Sequence, residues 1–346
     1  MGVDLADVVA PRPITLESLA NRTLAVDAYN ALYQFLAIIR QPDGTPLRDR
    51  QGRVTSHLSG LLYRTANLCE KGIRLSFVFD GKPPELKDAE IQRRRQVKQA
   101  ATVQYQRALK EGKLKEARTY AQATSTLKDL MVDDSKRLLS AMGQSWIQAP
   151  SEGEAQASYM ASRGDVWSVA SQDHDSLLFG APRMVKNLAI TGRRKLPRRD
   201  AYVEVEPELV ELSKALQELA VTREQLIDIG ILIGTDFNDG VKGVGPKTAL
   251  KLVRESGRLE KILEKDPSIV IDPNYDRVRE IFVHPNVTSN YTLHWSEPDE
   301  DAIVSFLCGE RDFSEDRVRK AVSRMSKASD AKAKAGGTLE SYFTAN

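Results

Sequence analysis

Short apolar runs along this chain alternate with longer stretches in which apolar residues return every three or four positions. Thr23–Asp27 (TLAVD), Leu75–Asp80 (LSFVFD) and Trp167–Asp173 (WSVASQD) are short, apolar or β-branched, and bounded by turn-like sequence, which predicts buried strands. Between them, Ser56–Lys71 places Leu58, Leu61, Leu62, Thr65, Leu68 and Cys69 on one helical face, and Asp134–Met142 and Glu154–Ser162 look similar. Strands alternating with helices predict an α/β fold with a mainly parallel central sheet and helices on both faces. All three predicted strands end in an aspartate: Asp27, Asp80 and Asp173. Ligands of open α/β sheets bind beyond the carboxyl ends of the strands, so these side chains can converge at one edge. A single strand-end aspartate is often only a turn former or helix cap; three are harder to dismiss.

Residues 84–128 break the pattern. They are polar, basic and helix-prone, with few large apolar side chains, and a segment of that kind cannot bury much core. It is expected to project from the body or to order on binding. From Ser326 the chain is rich in Ala, Lys, Ser and Gly and reads as a flexible linker, with apolar residues returning in the closing GGTLESYFTAN. No internal repeat is visible.

Composition narrows the class. The length of 346 residues allows two domains or one elaborated α/β domain, and 41% hydrophobic with 28% charged residues fits a globular protein. No apolar run approaches the roughly 18 residues of a membrane span. The opening MGVDLADVVAPRP lacks the basic start and apolar run of a secretory signal. The two cysteines, Cys69 and Cys308, indicate neither a disulfide framework nor a zinc site, and fit an intracellular location. A net charge of +2 says little about partners, but its distribution says more. Lys82–Lys128 holds 12 Lys/Arg against 5 Asp/Glu, an excess of +7, and Arg193, Arg194, Lys195, Arg198 and Arg199 form a second basic cluster. Such segments are either solvated helix faces or the footprint of a polyanionic partner.

Four further acids join the strand-end aspartates. Glu152 and Glu154 lie two apart in SEGE, Asp173 is followed by Asp175 in QDHD, and Asp236 follows the apolar run of IGILIGTD. Gathering seven carboxylates is strongly unfavourable unless cations compensate them. Hard oxygen donors suit Mg²⁺ or Mn²⁺ rather than zinc, and Mg²⁺ takes only one or two carboxylates directly, so the set suits two ions. Two ions about 3.5–4 Å apart can activate a water and stabilise the leaving oxygen of a phosphodiester. The reaction so predicted is phosphodiester hydrolysis. Each acidic pair also has a bland explanation. Ser151-x-x-Glu154 spells a capping box, which leaves Glu152 unexplained, and Asp175 can cap the turn at Ser176.

A glycine-rich turn, Gly240 to Thr248 (GVKGVGPKT), precedes the helical run Ala249–Glu255. Pro246 occupies a place where a first-turn proline is tolerated, and it separates Gly245 from Lys247, which excludes a Walker A loop. Gly243, Gly245 and Lys247 are suited to a helix–turn–helix that grips a DNA backbone through N–H groups and a helix N-terminus. The alternative is an ordinary glycine-rich connection between two helices.

VDAYNALYQFL, VFDGKPPELK, APSEGEAQA, SQDHDSLLFG, IGTDF and GVKGVGPKTA occur in the order found in the flap endonuclease family, over residues 1 to about 258. The chain resembles that family, its archaeal members in particular. The resemblance implies a PIN-like 5′-nuclease fold and a structure-specific 5′-flap endonuclease with 5′-exonuclease activity, acting in Okazaki-fragment maturation and long-patch base excision repair. It implies two Mg²⁺ ions, with Mn²⁺ as a substitute, held by Asp27, Asp80, Glu152, Glu154, Asp173, Asp175 and Asp236. It implies a basic catalytic pair, Lys87 and Arg94, which are seven residues apart and so can face the metals from one helix. Arg93 and Arg95 are expected to point elsewhere. By the same resemblance Tyr33 stacks a base near the scissile bond, Gly2, Arg40, Arg64 and Gly234 contact DNA, and Met1 is removed.

The implied organisation is an N-terminal nuclease region (1–98) and a helical arch (84–128) through or beneath which a 5′ single strand passes. An intermediate region (116–258) containing the helix–turn–helix (222–258), a C-terminal part of the core (259–325) and a tail (326–346) follow. The expected protein is a monomer, cytoplasmic, without a membrane partner, acting on branched DNA that carries a 5′ flap. The tail segment 336–343 resembles a peptide that docks on a sliding clamp (PCNA) through Leu339, Tyr342 and Phe343, but Gly336 stands where that peptide carries glutamine, which weakens the expected contact. Related nucleases that cut bubbles, Holliday junctions or RNA share the acids, and a continuous helical segment over 84–128 favours flaps over these. A non-enzymatic DNA-binding protein would leave seven carboxylates unexplained.

Overall fold

Each predicted strand buries its side chains on both faces of one sheet, and that sheet sets the position of everything else. The computed structural model describes residues 2–41, 43–124, 127–190, 192–195 and 202–326. The chain forms β1 (Arg12–Pro13), β2 (Thr23–Asp27), α1 (Ala28–Ile38), α2 (Ser56–Glu70), β3 (Arg74–Phe79), α3 (Asp88–Lys110), α4 (Leu114–Ala123), α5 (Asp129–Ala141), β4 (Ser145–Gln148), α6 (Gly153–Ser162), β5 (Ser168–Ala170), α7 (Asp175–Leu178) and β6 (Arg183–Lys186). It continues with β7 (Gly192–Lys195), β8 (Tyr202–Val205), β9 (Glu208–Glu211), α8 (Leu212–Leu219), α9 (Arg223–Ile233), β10 (Gly234–Thr235), β11 (Asn238–Asp239), α10 (Pro246–Ser256), α11 (Leu259–Lys265), α12 (Tyr275–Val283) and α13 (Glu300–Val304). A last helix, α14, covers residues 315–326.

The main sheet has the order β1-β9-β6-β5-β2-β3-β4. The run from β6 to β4 is parallel, and β9 adds antiparallel to β6 and carries β1 antiparallel at the edge. This is the mainly parallel sheet that the alternating pattern predicts. Alternation along each strand sends side chains to opposite faces. Leu24, Val26, Leu75 and Phe77 pack in a cluster with α1, α2, α5 and the C-terminal Ile303, Phe306, Val318 and Val322. Ala25, Val78 and Val169 face Ala157 and Met160 of α6. A third cluster joins β6 and β9 to the helices from α7 to α12. Fully burying one such large apolar side chain contributes roughly 1.5–3 kcal/mol.

The structure corrects three expectations. The predicted strand Trp167–Asp173 is shorter: β5 stops at Ala170, and the Asp173 N–H donates to Ser171 Oγ at 3.2 Å, a local turn that leaves the ladder. Residues 84–128 are not one continuous helix. A 3₁₀ turn at Glu85–Lys87 leads into α3, and Gly112 at φ +69° reverses the chain into α4. α3 and α4 pack on each other, with Ala108, Ala117 and Ala121 buried, and α4 returns to touch α1. Finally, Ser151 and Glu154 do not form a capping box. Glu152 is the N-cap of α6 and makes no side-chain cap bond.

The glycine turn joins α9 to α10 as a helix–turn–helix. Thr222 caps α9 through a capping box with Gln225, and Gly245 caps α10 with Pro246 in its first turn. Among the described residues no helix is long and apolar enough to cross a membrane.

Candidate nuclease site

Seven acids reach one place from five segments of chain. Asp27 ends β2 and caps α1, accepting the Asn30 N–H at 3.0 Å. Asp80 follows β3 and accepts the N–H of Gly153, the first residue of α6, at 2.7 Å. A Cβ at Gly153 would lie 2.7 Å from that same Asp80 oxygen, so only glycine permits this approach. Glu152 and Glu154 flank Gly153. Glu154 accepts the Ser176 hydroxyl at 2.5 Å rather than capping its helix. Asp173 lies in the turn after β5 and accepts from Asn30 Nδ2 at 3.1 Å. Asp175 starts α7 and accepts the Val3 N–H at 2.7 Å. Asp236 occupies the turn between β10 and β11, made tight by Gly234 at φ +108°.

The electrostatics show how strongly these groups act on one another. Burial, then Asp80 and Asp173, push the Asp27 carboxyl well above the usual carboxylate range. Burial, then Asp175, Asp173 and Asp27, do the same to Glu154. Burial and Asp236 raise Asp175 to about 7. Burial raises Asp80 and Glu152 as well, with Asp236 adding repulsion in both. Asp236 goes the other way. Burial pushes it up, but Lys87 and Arg94 outweigh burial and hold it below its ordinary value.

Those two cations come from the start of α3 and the turn before it. Lys87 Nζ pairs with Glu152 and lies 3.3 Å from Asp236 Oδ2, while Arg94 Nη2 lies 2.5 Å from Asp236 Oδ1. Lys87 precedes α3 and Arg94 lies two turns along, so the seven-residue spacing does aim both at the acids. Arg93 and Arg95 are exposed. Farther along α3, Lys98 Nζ rests 4.7 Å from the Tyr33 ring centroid. Lys87 itself is held in its charged form, because Glu152 and Asp236 overcome the opposing effect of burial.

The donors are chemically suited to a hard divalent cation: carboxyl oxygens crowded where burial and repulsion make negative charge costly. They are not a ready cage. Among the described residues no group of three or more acidic, histidine or cysteine side chains is arranged to hold an ion as it stands. Lys87 and Arg94 compensate part of the charge instead.

The other candidate residues lie around this centre. A Cβ at Gly2 would meet the Asp175 carboxyl at 2.6 Å, which places the N-terminal segment against the acids. Tyr33 is half-buried on α1 beneath α3. Arg40 donates from Nη1 to Gly44 O at 2.8 Å. Arg64, on α2, lines a small cavity with Asp27, Asn30 and Gln34. Gly243 at φ +84° and Gly245 have open space around them, and Lys247 is exposed on the first turn of α10. This turn and Asp236 belong to one helix–turn–helix unit. Leu339, Tyr342 and Phe343, with Gly336, lie outside the described residues, as do Arg198 and Arg199.

Sequence reasoning missed the residues that orient the acids, Val3, Asn30, Gly153 and Ser176, and missed Glu90, which holds Arg94. Asn30 had one usable signal, its place three residues after Asp27, the spacing of a helix cap. Ser176 and Val3 had none, because their partners are 22 and 172 residues away.

Comparison with known proteins places the chain in a family. A family model described as the XPG N-terminal domain matches residues 1–101, and one described as the XPG I-region matches residues 143–236. Flap endonuclease 1 of Hyperthermus butylicus is 57% identical over 332 residues, covering 95% of each chain. Flap endonuclease 1 of Methanothrix thermoacetophila is 58% identical over 325 residues, covering 94% of this chain and 96% of its own. The solved flap endonuclease-1 from Methanococcus jannaschii superposes with a TM-score of 0.76 at 44% identity, over 96% of this chain and all of that one. The catalytic core of Rad2 in complex with DNA substrate shares the fold, with a TM-score of 0.71 at 24% identity over 94% of this chain and 100% of its own. With matches spanning nearly the whole chain and a fold that gathers the acids at one sheet edge, this protein belongs to the flap endonuclease family and is a DNA nuclease.

Proposed function

We propose that this chain removes 5′ flaps from branched DNA by Mg²⁺-dependent hydrolysis, with 5′-exonuclease activity at the same centre. The observation that carries the reading is the meeting of seven acids with two arch cations at one edge of the sheet. Asp27, Asp80, Glu152, Glu154, Asp173, Asp175 and Asp236 would hold two Mg²⁺ ions, or Mn²⁺ in their place. Ions bound there supply Lewis-acid activation of water and neutralise charge on the phosphate.

The rest is work for the protein's own side chains. Lys87 and Arg94 leave Glu152 and Asp236 to hold the scissile phosphate, a contact that strengthens as charge builds on its oxygens. Tyr33 offers a ring for the base beside the scissile bond, and Lys98 is the group that must yield it. Gly243, Gly245 and Lys247 grip the duplex backbone without reading sequence, while Gly2, Arg40, Arg64 and Gly234 line the route between duplex and acids. The arch, with its excess of positive charge, guides the 5′ single strand. Productive contacts from Lys87 and Arg94 therefore need a strand correctly placed beneath α3, which ties cleavage to the junction. In the cell this chemistry suits Okazaki-fragment maturation and long-patch base excision repair. The tail peptide, through Leu339, Tyr342 and Phe343, is proposed to dock on a sliding clamp, and Phe343→Ala should weaken clamp stimulation of cleavage.

A double-flap substrate incubated with Mg²⁺, with EDTA as control, tests the reading. Cleavage at the base of the 5′ flap, abolished by EDTA, is expected. Preference for bubbles or four-way junctions would overturn the flap assignment, and binding without cleavage would overturn the enzymatic one.

A further inference from the structure

Glu90 is an acid on a basic helix that will face a polyanion, and nothing in the reaction outlined above uses it. It lies one turn beyond Lys87 and one turn before Arg94 on α3, and its side chain is only 10% exposed. Its Oε1 accepts from Arg94 Nε at 2.6 Å, and its Oε2 accepts from Arg93 Nε at 2.6 Å. Arg93 is 68% exposed and turns toward solvent, whereas Arg94 continues to Asp236.

We propose that Glu90 is the positioning residue for Arg94. The inference rests on the assignment of Arg94 as a phosphate-contacting residue. A guanidinium carries its five N–H groups in a rigid plane, so fixing the Nε edge fixes the direction of the two Nη groups. Glu90 holds the Nε edge, and Asp236 is met by Nη2. Were Asp236 to hold a cation instead, Arg94 would keep Glu90, so its Nη edge would stay aimed at the acids, where a phosphate can accept two parallel bonds. An arginine held this way loses little rotamer freedom on engaging its target, which is how a preorganised donor favours a transition state.

The arrangement also answers the objection that a carboxylate should repel DNA. Arg93 shares the same carboxylate, so Glu90, Arg93 and Arg94 together carry a net positive charge. An ordinary role for Glu90, as an acid favoured in the first turn of a helix, predicts loss of helix stability and nothing specific to chemistry.

Single-turnover cleavage of a 5′-flap substrate at saturating enzyme, with substrate affinity measured separately in Ca²⁺, distinguishes these roles. Glu90→Gln keeps the shape and removes the charge. It is expected to slow the chemical step by roughly 10–100-fold, with affinity unchanged or slightly tighter. In an Arg94→Ala background the same substitution should add less than about twofold, because the group it positions is gone. Arg93→Ala should leave the chemical step within about twofold. A normal cleavage rate in Glu90→Gln beside a slow Arg94→Ala overturns the positioning role and leaves the function of Arg94 standing. An equal slowing by Glu90→Gln with and without Arg94 also overturns it. If Arg94→Ala itself cleaves normally, the assignment of Arg94 falls and this inference falls with it. Far-ultraviolet circular dichroism and melting temperature identify a mere helix effect: a rate loss that tracks lost helicity counts against positioning.

Discussion

Arg94 and Asp236, 142 residues apart in sequence, meet at 2.5 Å, so α3 and the helix–turn–helix unit are joined directly through the acid cluster. Lys87 meets the other oxygen of the same carboxylate at 3.3 Å. Two cations on one acid explain why Asp236 alone among the shifted acids of the cluster is held below its ordinary range. They also describe what an incoming cation must displace.

Lys87→Ala should therefore slow the chemical step far more than it weakens binding. The expected loss in single-turnover rate is on the order of 100-fold or more, with affinity changed only a few-fold. A pure loss of affinity at an unchanged rate would show that Lys87 holds DNA rather than the transition state.

Asp80→Ala and Asp173→Ala should each abolish cleavage while leaving flap binding measurable. Both belong to the cluster, and each orders a neighbour: Asp80 accepts from Gly153, and Asp173 from Asn30. Near-normal turnover in either variant would count heavily against a shared site.

Gly2→Ala introduces a Cβ that would fall 2.6 Å from the Asp175 carboxyl. The acid or the N-terminal segment must then shift. Cleavage is expected to drop about tenfold, with the melting temperature nearly unchanged, since a small displacement within a preorganised site costs rate before it costs stability. An unaffected rate would show that the N-terminal segment is free to move aside.

Much of this centre was legible in the sequence. Asp27 and Asp80 stand immediately at the ends of short apolar strands, a pattern that local composition reveals. Asp173 was legible as an acid but not as a turn residue, because the run that reads as a strand continues past Ala170, where the strand ends and the Asp173 N–H turns back to Ser171 Oγ. The break at Gly112 was hidden by the helix-prone residues on either side. Glu90 was invisible for another reason. In sequence it is one more charge on a charged helix, and only the side-chain geometry shows it gripping Arg94.

His57 makes stability depend on pH independently of the acids. It is 1% exposed, neither ring nitrogen has a hydrogen-bond partner among the described residues, and burial with Arg311 nearby holds it down at about 4. A histidine buried neutral takes up its proton more readily when unfolded, so its contribution is full above about 6.5 and is lost as pH falls toward 4. Between pH 7.5 and 5 it should remove about 2 kcal/mol of stability. Asp175 acts in the opposite sense. Raised to about 7, it stabilises the metal-free fold at low pH and loses that contribution as pH rises from about 4 through 7. Denaturant melts of His57→Leu and Asp175→Asn separate the two: the first should lose less stability than the parent chain on acidification, the second more. Parallel curves for all three proteins would refute both assignments.

The most direct test is a titration of the DNA-free protein with Mn²⁺ at pH 8, counting bound ions by electron paramagnetic resonance and following the melting temperature. The account predicts saturable binding of two ions per chain, a rise in melting temperature on the order of 5 °C, and loss of at least one ion in Asp173→Ala. A chain that binds no ion above background, or one whose Asp173→Ala variant binds as many as the parent, would contradict it.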